Sequence, residues 1–107
     1  MITVLSFYKL QRLKKLKSLK NLLFKKINYL SIKGLIILSP EGINGTLAGN
    51  TTNINIIKKI IIKNLRISKF DIQNITKSKF LPFLKAKIKI KTEVVPINEK
   101  YNFNKKL

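Results

Sequence analysis

Lys85, Lys87, Lys89 and Lys91 alternate with Ala86, Ile88, Ile90 and Thr92. A period of two is the period of a β-strand, so the four amines share one face and their partners the other. Residues i and i+2 on a strand lie about 6.5–7 Å apart, close to the spacing of successive phosphates along a nucleic acid. Such a row neutralises charge on a polyanion and performs no covalent chemistry. A second candidate is Ser39 to Gly49, which holds three of the four glycines. Backbone N–H groups of a glycine-rich turn can cradle a phosphate. This stretch has neither the GKS/T ending of a P-loop nor a GxGxxG, so hairpin geometry is its default reading.

The remaining inventory is poor in catalytic groups. The 107 residues include no Cys and no His, and only four acids against 23 Lys plus Arg, for a net charge of +19. Disulfides, thiolate metal sites and a cysteine nucleophile are excluded. The commonest metal ligand and the commonest neutral-pH base are missing too. The chain is therefore expected to hold no catalytic residue, no metal ligand and no cofactor of its own. The charge asks for nucleic acid or an anionic surface. A bland origin stands beside that reading. Lysine outnumbers arginine 21 to 2, Ile and Asn are abundant and Ala appears twice, as in a coding sequence rich in A and T.

The elements that must position these residues follow from periodicity. Ile2 to Tyr8 reads as a buried strand. From about Leu10 to Leu30 the apolar residues Leu13, Leu16, Leu19, Leu23, Ile27 and Leu30 recur at steps of three and four, with lysines opposite, which predicts a long amphipathic helix. Gly34 suits its C-cap or a turn. Leu35 to Ser39 predicts a second strand, with a turn at Pro40–Gly42 and a returning strand over Ile43–Gly49. Asn44-Gly45 is a competing hairpin signal. With the turn at Pro40, Gly45 is expected to allow a bulge or a close backbone approach. Thr51-Thr52 are candidate N-caps for a second helix whose apolar face is Ile54, Ile57, Ile60, Ile61 and Leu65. Phe70–Ile75 reads as a short strand, Ser78–Pro82 as a loop and Lys85–Val95 as the last strand.

The order β-α-β-β-α-β, with an extra strand before the last, predicts an α+β, ferredoxin-like (split β-α-β) fold. Its sheet is mainly antiparallel with both helices on one face. The domain is expected over residues 2–96, followed by a polar tail over 97–107. This fold hosts many functions. Acylphosphatase activity would need an arginine-bearing anion loop after the first strand, where Lys9-Leu10-Gln11-Arg12 offers no glycine-rich cradle. An RNA-recognition motif would need exposed aromatics on central strands. Phe7 and Tyr8 are the only such pair, and one of them must face the core.

Three blocks go further. Lys33 to Gly49 contains Glu41-Gly42-Ile43-Asn44-Gly45-Thr46, and it resembles the "KG-x-I-x-L-x-x-EGINGT-x-x-G" block of the bacterial rhodanese-containing tRNA uridine hydroxylases. Ser6-Phe7-Tyr8-Lys9 and Pro82 to Val95 resemble two further blocks of that family, in order and spacing. The resemblance implies a tRNA partner and, for the family reaction, oxygen-dependent 5-hydroxylation of the wobble uridine, with molecular oxygen as co-substrate. It also implies a rhodanese domain with a cysteine that nothing in this chain matches.

The expectation is therefore an N-terminal, tRNA-binding domain, inactive by itself, in a truncated or split chain. Its candidate contacts are Lys85, Lys87, Lys89 and Lys91. By family analogy Glu41, Gly42, Asn44 and Gly45 shape a loop near the active site. The alternative is a non-catalytic remnant, or an interaction module docking on a separately encoded rhodanese protein. No targeting segment or membrane-length apolar run is evident, so a soluble, cytoplasmic protein is expected.

Overall fold

The computed structural model describes residues 1–94. Seven elements follow in the order β1 (Ile2–Leu10), α1 (Leu16–Tyr29), β2 (Lys33–Ser39), β3 (Gly42–Gly49), α2 (Thr51–Leu65), β4 (Ile72–Ser78) and β5 (Ala86–Ile90). The strands form one sheet in the order β4-β1-β3-β2-β5. β1 runs antiparallel to both β3 and β4, and β2 antiparallel to β3. Only β5 lies parallel to its neighbour, β2. This is the expected ferredoxin-like architecture with the roles of the last two strands exchanged: β4, expected as the extra strand, completes the four-stranded order beside β1, and β5, the lysine strand, is the addition at the edge.

Alternation sorts the sheet into two faces. Leu5, Phe7, Ile36, Leu38, Ile43, Leu47 and Ile88 point toward the helices and form the core with Leu23 and Ile27 of α1 and Ile54, Ile57, Ile61 and Leu65 of α2. Each such side chain, fully buried, contributes about 1.5–3 kcal/mol. That burial explains how α2 forms from a run of isoleucines with poor helix propensity. Phe7 stacks on Phe70 with ring centroids 4.7 Å apart.

Several local expectations fail for physical reasons. α1 begins at Leu16, not near Leu10, because the preceding segment is taken by tertiary bonds. Gln11 N–H donates to the Glu41 carbonyl (2.8 Å) and Leu13 N–H to that of Pro40 (3.1 Å). Lys15 then turns left-handed, with φ 52°, before the helix starts. Gly34 is not a cap but lies inside β2, at φ 132°, where an added Cβ would come 2.0 Å from the Thr46 carbonyl oxygen. The residue capping α1 is Leu30.

The N-cap of α2 is Asn50, one residue before the two threonines. Its side chain accepts from Asn53 N–H at 2.8 Å, worth about 1 kcal/mol. The turn does fall at Pro40-Glu41, with Ser39 opposite Gly42. Gly45 keeps a regular register, so no bulge forms, and the close approach it permits is to the Phe7 ring. The strand read over Phe70–Ile75 runs instead from Ile72 to Ser78, with Phe70 turned into the core. β5 is shorter than the expected Lys85–Val95. Val95, Pro96 and the expected tail 97–107 lie outside the described residues.

Candidate nucleic-acid interface

The lysine row sits on the edge strand. Ile88, in register with Ile36, is buried toward the helices. By alternation Lys87 and Lys89, level with Leu35 and Ile37, therefore face the side of the sheet that carries no helix. Lys85 and Lys91 lie just outside β5, yet their backbones stay on the ladder. Gly34 N–H donates to the Lys85 carbonyl (2.9 Å), and Lys91 N–H donates to that of Leu38 (2.8 Å). Both ends of the row are thus hydrogen-bonded to β2, although the chain bends at Lys85. All four side chains are exposed. Among the described residues the ion pair joins Lys9 to Asp71 at 3.1 Å, on the other side of the sheet order, and none of the four row lysines is ion-paired.

The rest of this face mixes polar and apolar side chains, with Val4, Ala48, Leu35 and Ile37 among the apolar ones and Lys33 a further cation. Tyr8 stands opposite Asn44, and Ser6 opposite Thr46, their hydroxyls 3.2 Å apart. Of the two aromatics in β1, Phe7 enters the core and Tyr8 takes the helix-free face, half-buried. Asn44, Ile37 and Lys89 share one lateral row across β3, β2 and β5. At about 4.8 Å per strand, Asn44 is roughly 10 Å from the base of Lys89.

The candidate loop residues separate into different jobs. Glu41 forms the exposed hairpin tip. Its N–H donates to Ser39 Oγ (3.0 Å), its carbonyl receives Gln11, and its Oε1 accepts from Val94 N–H at 3.4 Å. Glu41 therefore ties the hairpin to the chain leaving the lysine row. Gly42 lets β3 approach β1, since an added Cβ would lie 2.1 Å from the Lys9 carbonyl oxygen. Asn44 is buried on the helix-free face, while Gly45 lies on the core face beneath Phe7. The block brings Asn44 into line with the lysines and leaves Gly45 structural.

Sequence reasoning missed two polar assemblies. Lys77 Nζ donates to Thr3 Oγ1 (2.7 Å) and Thr51 Oγ1 (2.9 Å), joining β4, β1 and the start of α2. Asp71 accepts from Lys9 Nζ and, at 2.8 Å, from Leu10 N–H. The backbone bond first, then the Lys9 contact, holds its carboxyl below the ordinary value of 3.8 despite partial desolvation. Neither assembly carries a sequence signal, because each joins residues dozens of positions apart.

Residues 2–94 match the family described as the UPF0176 acylphosphatase-like domain. The chain belongs to that family. This UPF0176 domain is 44% identical over 97 residues to a tRNA uridine(34) hydroxylase of Pelagibacter ubique, covering 91% of this chain and 32% of that protein. A tRNA uridine(34) hydroxylase of Legionella pneumophila (strain Corby) is 36% identical over 94 residues, covering 88% and 37%. The domain thus spans about a third of the length of these relatives and corresponds to their N-terminal region.

Among solved structures, BlrP1 BLUF matches with a TM-score of 0.65 at 15% identity, covering 86% of this chain and 65% of that one. An acylphosphatase from Coxiella burnetii matches with a TM-score of 0.58 at 12% identity, covering 84% and 93%. At such identities the likeness shows the fold alone. No helix among the described residues is long and apolar enough to cross a membrane.

Proposed function

We propose that this UPF0176 domain is the tRNA-holding part of a wobble-uridine hydroxylase, and that Lys85, Lys87, Lys89 and Lys91 contact the RNA backbone. The observation that carries this reading is the row itself. Four exposed lysines alternate along one edge of the sheet, hydrogen-bonded to β2 at both ends, with no acid among them. The relatives' name supplies the kind of RNA. The domain positions tRNA, and the 5-hydroxylation with molecular oxygen belongs to a rhodanese domain carrying the thiol that this chain lacks.

A tRNA titration across a salt series tests it. The logarithm of affinity falls linearly with the logarithm of salt in proportion to the phosphates neutralised. Replacing the four lysines by glutamine lowers both affinity and slope. A flat salt response, or an unchanged affinity in the variant, rejects the reading.

One observation favours a second reading, a module that docks on a separately encoded rhodanese protein. The β4–β5 connection leaves Phe80 and Leu84 largely exposed, at 79% and 91%. If docking is the whole function, Phe80→Ser with Leu84→Ser abolishes association with that partner, and the lysine variant leaves it intact.

A further inference from the structure

The chain has two arginines among its 23 basic residues, and both line the same cleft. This cleft, about 690 Å³, lies between the segment joining β1 to α1 and the end of α2. Arg12, Lys14, Lys15 and Arg66 form its cationic lining, and Leu19 and Leu22 are among its apolar lining. No acid lines it. Among the described residues neither guanidinium has an ion-pair partner.

Three features converge here. In a composition that otherwise uses lysine, the two arginines stand 54 positions apart in sequence, and the fold brings both to one cleft. Arginine presents a planar fork that grips phosphate bidentately, which lysine cannot do. Arg66 also ends α2 with left-handed backbone, φ 56°, where glycine is the residue of least strain. Arg66 thus places a long cation at the cleft where the backbone alone would favour glycine, as Lys15 does across from it. An apolar patch inside a cationic lining suits one nucleotide, with its phosphate on the arginines and its base against the leucines.

We infer that this cleft binds a phosphorylated nucleotide unit through Arg12 and Arg66. The inference rests on the RNA reading above and adds a contact on the helix side of the domain, apart from the β5 row. The phosphate could belong to an RNA strand or to a free nucleotide, and the experiment separates these.

The variant Arg12→Lys with Arg66→Lys keeps the net charge and removes both forks. Its melting temperature is compared with the parent's to confirm folding. Two arms follow. An anticodon stem-loop RNA is titrated across a salt series, and uridine monophosphate is titrated with amide NMR signals of Leu13, Lys14 and Asn64 as reporters. An RNA affinity reduced about fivefold with an unchanged salt slope, together with cleft shifts from uridine monophosphate lost in the variant, supports the inference.

Parent-like RNA affinity in the variant overturns the RNA contact, even if the free nucleotide still shifts the cleft signals. No cleft shift from the nucleotide in the parent overturns the site. If the parent chain binds no RNA at all, the proposed function fails, while the nucleotide arm still reads the cleft.

Discussion

Gly45 and Phe7 share a space that only a glycine leaves open: a Cβ at Gly45 would sit 2.6 Å from Phe7 Cζ. Phe7 cannot withdraw easily, because its ring is stacked on Phe70 within the core. A conspicuous motif glycine therefore serves packing beneath the sheet, and Asn44 beside it serves the opposite face. Gly45→Ala is expected to cost about 1–3 kcal/mol by overpacking. Gly34→Ala should cost more, because it meets the Thr46 backbone oxygen and adopts φ 132°. Urea unfolding of both variants checks the order. A smaller loss at Gly34 contradicts the account.

Asp71 predicts a specific acid response. Its folded pKa lies below 3.8, chiefly through the Leu10 N–H bond and then Lys9. A depressed carboxylate stabilises the fold above its unfolded pKa and loses that contribution as pH falls through the folded value. Asp71→Asn should therefore lower the melting temperature at neutral pH, by an amount that shrinks as pH falls below 3.8 and vanishes once pH is under the depressed folded value. The carboxylate is 41% exposed, so solvent screening keeps the neutral-pH difference small. Thermal melts of both proteins across pH read the convergence. A gap that persists or widens on acidification argues against it.

Arg66 sets stability against binding. Arg66→Gly relieves left-handed strain at the end of α2 and should stabilise the domain by about 0.5–1 kcal/mol, less any entropy gained by the unfolded chain. The same change removes a guanidinium from the cleft and should weaken nucleotide binding. A variant that is destabilised shows that the Arg66 side chain supports the fold instead.

Catalysis offers a further check. The chain contains neither thiol nor imidazole. Purified protein incubated with tRNA and oxygen should give no 5-hydroxyuridine above background, measured by mass spectrometry of digested RNA. Turnover by this chain alone would require chemistry from Lys, Tyr or Ser.

The element order and both helices were legible because each core face is periodic, from Leu5 and Phe7 in β1 to Ile54, Ile57 and Ile61 in α2. The lysine face was legible for the same reason, since a single edge strand carries it. What failed was decided by distant partners. The start of α1 depends on Glu41 and Pro40, which bind Gln11 and Leu13. Gly34 answers to Thr46 across the ladder. The arginine cleft was invisible because Arg12 and Arg66 come to one cleft only in the folded chain.

The central claim is that position, not total charge, makes the β5 row the RNA contact. Two variants of equal charge loss decide it. One replaces Lys85, Lys87, Lys89 and Lys91 by glutamine, and the other replaces Lys58, Lys59, Lys63 and Lys69. Both are titrated with tRNA across a salt series. The account predicts that the β5 variant loses on the order of tenfold more affinity than the other, with its salt slope reduced by about three to four. Equal losses in the two variants would contradict it, and would mark the binding as the non-specific pull of a +19 surface.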